Sequence, residues 1–174
     1  MEEQIFFLNN RINDSFRNLE VVAARLGRIP GRKSAIWISE AFPTMINNSV
    51  VPGAGPAAVS YLPNVERLLA ILNRSDVAVY PVNAQGLSLS ARSYASTMQT
   101  LAERTGGTYF GDRNDLDAGI REAMEDMRIS YVLGFHVPAK AAPGLHEIRV
   151  KVNRTGVVLR YRESYQLSEG AAPK

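Results

Sequence analysis

The chain has 174 residues, 45% of them hydrophobic and 21% charged, which suits one ordinary core with an appendage and is too short for two generous ones. Twenty Lys plus Arg against seventeen Asp plus Glu leave a net charge of +3 with no run of like charges, so nothing marks an electrostatic footprint for nucleic acid. No cysteine is present, which excludes disulfides, thiolate metal sites and a cysteine nucleophile.

Met1 to Gln4 is acidic and Ile5 to Leu8 is too short for a signal core or a membrane span. The first dozen residues are ambiguous. From Asp14 to Leu26, Phe16, Leu19, Ala23 and Leu26 recur at helical spacing, with Asn13 or Asp14 to cap the start and Gly27 to end the run. Pro30-Gly31 then turns the chain through the basic Arg32-Lys33 into Ala35 to Ile38. That short apolar run reads as a strand buried on both faces, with the sole tryptophan, Trp37, inside the sheet. Ser39 and Glu40 follow at its carboxyl end, where open α/β sheets bind their ligands.

Thr44 to Ser60 loses periodicity and collects Asn47, Asn48, Pro52, Gly53, Gly55 and Pro56, a loop composition. Pro63 to Asn73 predicts a helix with Val65, Leu68, Leu69 and Leu72 on one side, and Val77 to Val82 the next strand. Asn83 and Gln85 stand at its carboxyl end, opening a loop to Ser93. A helix around Tyr94 to Thr105, the Gly106-Gly107 stop and a short strand Thr108 to Phe110 form a third unit. Asp112 to Asp115 is its polar loop, followed by an amphipathic helix, Leu116 to Met127. Three strands, each preceded by a helix, are expected to run in parallel.

From Ser130 the pattern changes. Tyr131 to Phe135, His146 to Val152 and Val157 to Arg162 read as an antiparallel meander, with Ile148, Val150 and Val152 alternating against Glu147, Arg149 and Lys151, and with Asn153 to Gly156 as the hairpin loop. The expected division is an α/β unit over residues 1–129, a β-rich extension over 130–167 and a disordered tail over 168–174.

Familiar chemistries can be tested on these residues. Gly27 to Ser34 superficially matches a phosphate-binding loop, but it runs helix, loop, strand, the reverse of a Walker loop, and reads as a solvated basic turn. Gly53 to Ala58 fits a loose dinucleotide fingerprint, yet no strand enters it and Pro56 interrupts it. His136 and His146 flank a loop centred near Ala141, so a hairpin there sets them opposite one another as a structural pair, without the carboxylate a metal site needs. Arg149, Lys151, Arg160 and Arg162 form a basic stripe that alternation explains as the wet face of a hairpin.

Five segments together carry a family resemblance: Pro30-Gly31-Arg32-Lys33 with Ile36-Trp37-Ile38-Ser39; Asn73-Arg74 with Val79-Tyr80-Pro81-Val82; Leu101 to Gly107; Asn114-Asp115-Leu116; and Tyr131 to Phe135. In order and spacing they resemble the von Willebrand factor A-related domains common in acidobacteria, over roughly residues 14–165. The resemblance implies a Rossmann-like, three-layer α/β fold with a parallel sheet, a carboxyl-end divalent-metal adhesion site, and an exported or periplasmic protein. The family's Asp-x-Ser-x-Ser turn occurs nowhere here, and the chain matches the family from after its first three strands. Glu40 falls where the family's last metal-binding aspartate lies, and Asn83 where related domains often carry an aspartate.

The expected function is therefore a non-enzymatic protein-binding module with an incomplete adhesion site. Ser39, Glu40, Asn83, Gln85 and Asp112 are its candidate ligand-binding residues, and Glu40 with Ser39 weakly holds Mg²⁺ or Ca²⁺. The competing readings are a hydrolase using Glu40, Asp112 and Asp115 as acid and base, and a structural remnant of a larger protein. Self-association is expected as well, with Ile5-Phe6-Phe7-Leu8 exchanged between two chains as a strand.

Overall fold

The computed structural model describes residues 2–40, 45–47, 58–86, 91–111, 114–129, 131–138 and 141–167. Helix α1 (Glu2–Leu26) occupies 25 residues, so the segment expected to be exchanged as a strand is helical instead. Ile12 carries the three-four repeat of Phe16, Leu19, Ala23 and Leu26 past the expected caps, and the helix runs about three turns beyond them, back to Glu2. Ile12, Phe16 and Ala23 are buried, while Phe6, Phe7, Val21 and Val22 face outward.

Strand β1 (Lys33–Ser39) pairs in parallel with strand β4 (Val77–Asn83), from Lys33 beside Val77 to Ser39 beside Asn83. Every residue of β4 is buried, so β4 takes the central place that the sequence assigned to β1. β1 is an edge: Ile38 is 51% exposed and Trp37 is half-buried. An apolar run with one strand neighbour is covered on its faces but not along its side, which sequence pattern cannot distinguish from full burial. We therefore expect Trp37 to emit between a buried and a water-exposed indole; a fully blue-shifted spectrum would show that the free side of β1 is covered.

Alternation along β4 divides the core. Val77 and Val79 join Phe16, Val65, Leu68, Leu69, Leu72, Met98 and Leu101, with Ala35 and Trp37 packed on this side. Ala78, Tyr80 and Val82 join Phe110 and Ala123 on the other, with Ile36 against them. Helices α1, α2 (Leu62–Arg74) and α3 (Ala91–Thr105) thus line one face of the pair, and α4 (Leu116–Asp126) the other. The four apolar residues expected to face inward from α2 are all buried.

The expected third strand contracts to one parallel bridge, Val82 with Phe110. Proline explains it. Phe110 N–H donates to Pro81 O and Asn83 N–H to Phe110 O, both at 2.8 Å, so odd-numbered residues of β4 point to this side. Pro81 has no N–H to offer the residue before the bridge, and the ladder stops. Val79 N–H is satisfied by the Thr105 hydroxyl instead, at 3.0 Å.

The segment expected as one long loop contains a small antiparallel pair, β2 (Met45–Asn47) with β3 (Ala58–Ser60); the Gly53 to Pro56 stretch lies outside the described residues. In the carboxyl-terminal part, β5 (Gly144–Glu147) pairs with β6 (Ser164–Leu167), His146 standing across from Tyr165. Ile148 N–H reaches Glu163 O at 2.7 Å, a register that would set Val152 across from Leu159 rather than Val157. Apart from that bond, residues 148–163 join no ladder among the described residues, so the strands expected over His146 to Val152 and Val157 to Arg162 give way to the shorter β5 and to β6, which lies beyond Arg162. Tyr131 to Phe135 joins no ladder among the described residues, contrary to the expected meander, and Tyr131 and Val132 are 85% and 84% exposed. The tail expected over 168–174 lies outside the described residues.

This part docks at the amino ends of the strands. Arg162 donates to Asn73 O at 3.2 Å, Arg160 pairs with Asp126, and Gly106, at φ +77°, lies against the backbone of Tyr161 and Arg162. Burial first, and then the Asp126 carboxylate, push the Tyr80 phenol above its usual pKa, while Arg32 and Arg160 act against them.

Candidate functional site

The strand register brings two of the candidate residues to one level. Ser39 lies beside Asn83 on adjacent strands, and the turn after β4 returns Ala84 N–H to Ser39 O at 2.9 Å. Phe110 O receives Asn83 N–H, so three chain segments meet at this carboxyl end. Glu40 follows immediately and is exposed.

Asn83 is 1% exposed and its side chain is committed inside the fold. Its Oδ1 accepts from Gln85 N–H at 2.9 Å, making an Asx turn, and its Nδ2 donates to the Tyr109 hydroxyl at 3.2 Å. An aspartate here would be an acceptor on both arms, able to take the Gln85 amide and to receive the Tyr109 proton, whereas the amide donates to Tyr109. Asn83 thereby holds the turn together. Gln85 is half-buried in the same turn, which Gly86 closes at φ 67°. Asp112 lies outside the described residues.

Tyr109 was missed. Its only sequence signal is alternation with Phe110, whose ring enters the second core and so sends Tyr109 to the first. Gly111 belongs with it, because a Cβ at Gly111 would stand 2.0 Å from the Tyr109 hydroxyl.

Among the described residues, Glu40 is the candidate carboxylate at this end, following Ser39 in the chain. No group of three or more His, Asp or Glu side chains able to hold a metal occurs among the described residues. Asp115, named in the competing acid-base set, caps α4, its Oδ1 accepting from Ala118 N–H at 2.9 Å.

The other motifs resolve into structure. His136 and His146 do not form a hairpin pair; His146 stacks on Tyr165 at 5.1 Å and its Nε2 lies 2.7 Å from Ala142 O. In the basic turn, Arg32 donates to Gly106 O at 2.7 Å and Lys33 to Ile29 O at 2.9 Å, so neither projects into a phosphate cradle. Of the basic stripe, Arg149 pairs with Glu147 at 3.2 Å while Arg160 and Arg162 tie the appendage to α4 and α2. Two open clefts, of about 710 and 620 Å³, lie against the β5–β6 pair and against α4; neither is lined by Ser39, Glu40, Asn83 or Gln85.

No helix among the described residues is long and apolar enough to cross a membrane. Comparison with protein families, curated proteins and solved structures finds no match.

Proposed function

We propose that this chain is a non-enzymatic protein-binding module of the von Willebrand A-related type, with its sheet between two helical layers and an incomplete metal-dependent adhesion site at the carboxyl ends of its strands. The observation that carries the reading is the meeting of Ser39, Asn83 and Phe110 at those ends, with Glu40 presented beside them, while the appendage packs at the opposite ends. Helices on both faces of a parallel pair support the fold. A binding role fits because the exposed Glu40 carboxylate can contribute to an ion held jointly with a partner's acidic side chain.

Calorimetric titration with Mg²⁺, Ca²⁺ and Mn²⁺ tests it. Most of the coordination shell is left to water, so the expected dissociation constant is on the order of 10⁻⁴–10⁻³ M, with the heat lost in Glu40→Ala. A low-micromolar site would reveal ligands beyond Ser39 and Glu40, and binding that survives Glu40→Ala would remove the carboxyl-end site.

A further inference from the structure

Among the described residues, one side of β1 has no strand neighbour. On the other, Lys33 N–H donates to Asp76 O at 2.8 Å and Ser39 O accepts from Ala84 N–H at 2.9 Å. In a parallel strand the N–H and C=O of one residue point the same way, so the odd-numbered residues of β1 face β4. Ser34, Ile36 and Ile38 therefore present both backbone groups to the opposite side. No backbone group among the described residues bonds to them there. Ser34 is exposed and Ile38 is 51% exposed, so the edge is open in its side chains as well. Such an edge is a template for another strand.

We propose that this edge pairs with the same edge of a second copy, antiparallel, about a two-fold axis through Ile36. That register sets Ile36 across from the partner's Ile36 and Ser34 across from the partner's Ile38. All three outward-pointing residues then exchange both of their bonds. On the face of the first core, Trp37 comes beside the partner's Ala35, large against small. The charges choose the direction. Arg28 and Lys33 make the amino end of β1 basic, and Glu40 makes its carboxyl end acidic. Antiparallel pairing brings each Glu40 to the other copy's basic end, whereas parallel pairing stacks like on like. A two-fold axis also makes the contact isologous and closed, so it ends at a dimer.

The pairing uses the lateral edge of the sheet and stands apart from the carboxyl-end reading: a chain that stays monomeric still has its ion titration through Glu40 to be judged on.

Light scattering and sedimentation velocity on the full chain at micromolar concentration should give about twice the 19.1 kDa of one chain. Ser34→Pro removes an outward N–H at an exposed position and leaves the β4 ladder alone; it should be monomeric with unchanged circular dichroism, while Ser34→Ala stays dimeric. Glu40→Lys should weaken the dimer at least tenfold at low salt. The chain has no cysteine, so S34C/I38C should form a disulfide-linked dimer under mild oxidation that neither single variant forms. This cross-link decides the matter if Ser34→Pro misfolds. A monomeric wild-type chain, a dimer indifferent to Ser34→Pro, or equal cross-linking by either single cysteine would overturn the proposal.

Discussion

Truncating Phe16 to alanine is expected to remove about 3–5 kcal/mol of stability, the range for a large aromatic taken out of a packed core. Phe16 has no exposed surface and its ring stacks on Tyr61 at 6.1 Å. It joins α1 to α2, and α2 in turn packs on β4. Of the polar links beside it, Arg67 to Glu20 is largely exposed and contributes little, while the Tyr61 hydroxyl to Asn9 Oδ1 bond ties the same two helices from a buried tyrosine. Against a total of roughly 5–15 kcal/mol for an ordinary domain, the loss is a large fraction. Urea denaturation should show the midpoint falling with little change in slope, and Phe7→Ala, at a side chain 62% exposed, should be nearly neutral. A cost below about 1 kcal/mol for Phe16→Ala would mean that α1 is not docked on α2 as described.

Gly107→Ala is expected to be as severe for a different reason. A Cβ at Gly107 would stand 1.9 Å from Val79 O and 2.7 Å from Val79 C, both backbone atoms of the central strand. No rotamer change relieves such a clash. The segment leading to Phe110 must lift from β4, which puts at risk the bonds to Pro81 O and from Asn83 N–H and withdraws Phe110 from the second core. Overpacking of this kind costs about 3 kcal/mol. Thermal melting should record it as a large drop in midpoint, whereas Gly134→Ala, with nothing within 4 Å of its Cβ position, should leave the melt unchanged. Equal behaviour of the two variants would contradict the close approach.

How much of this was legible follows from what each signal measures. Periodicity reports burial of faces, so α2, α4 and β4 were found almost residue for residue. It is silent about strand neighbours, so Ala35 to Ile38, equally apolar at an edge, reads as a central strand. Caps mislead where a repeat runs through them: Asn13 and Asp14 look like a helix start, yet both are solvent-facing positions within α1. Tyr131 to Phe135 has strand composition without a partner among the described residues, and composition cannot supply one. At the candidate site, position was legible and chemistry was not. Ser39 and Asn83 do share the carboxyl end, but Asn83 is held by Tyr109, a contact between residues 26 apart that no local pattern announces.

Pro81 gives the sheet two unequal flanks. Toward β1 the ladder runs unbroken over seven residue pairs, so that flank can only separate as a unit. Toward Phe110 a single bridge holds, flanked by a residue that cannot donate, and this margin can breathe while the rest of the sheet stays shut. The breathing margin carries Tyr109 and, through it, the Asn83 turn beside Ser39. Opening of the proline flank would therefore loosen the Asn83 turn first, with β1 and its outer edge staying in place.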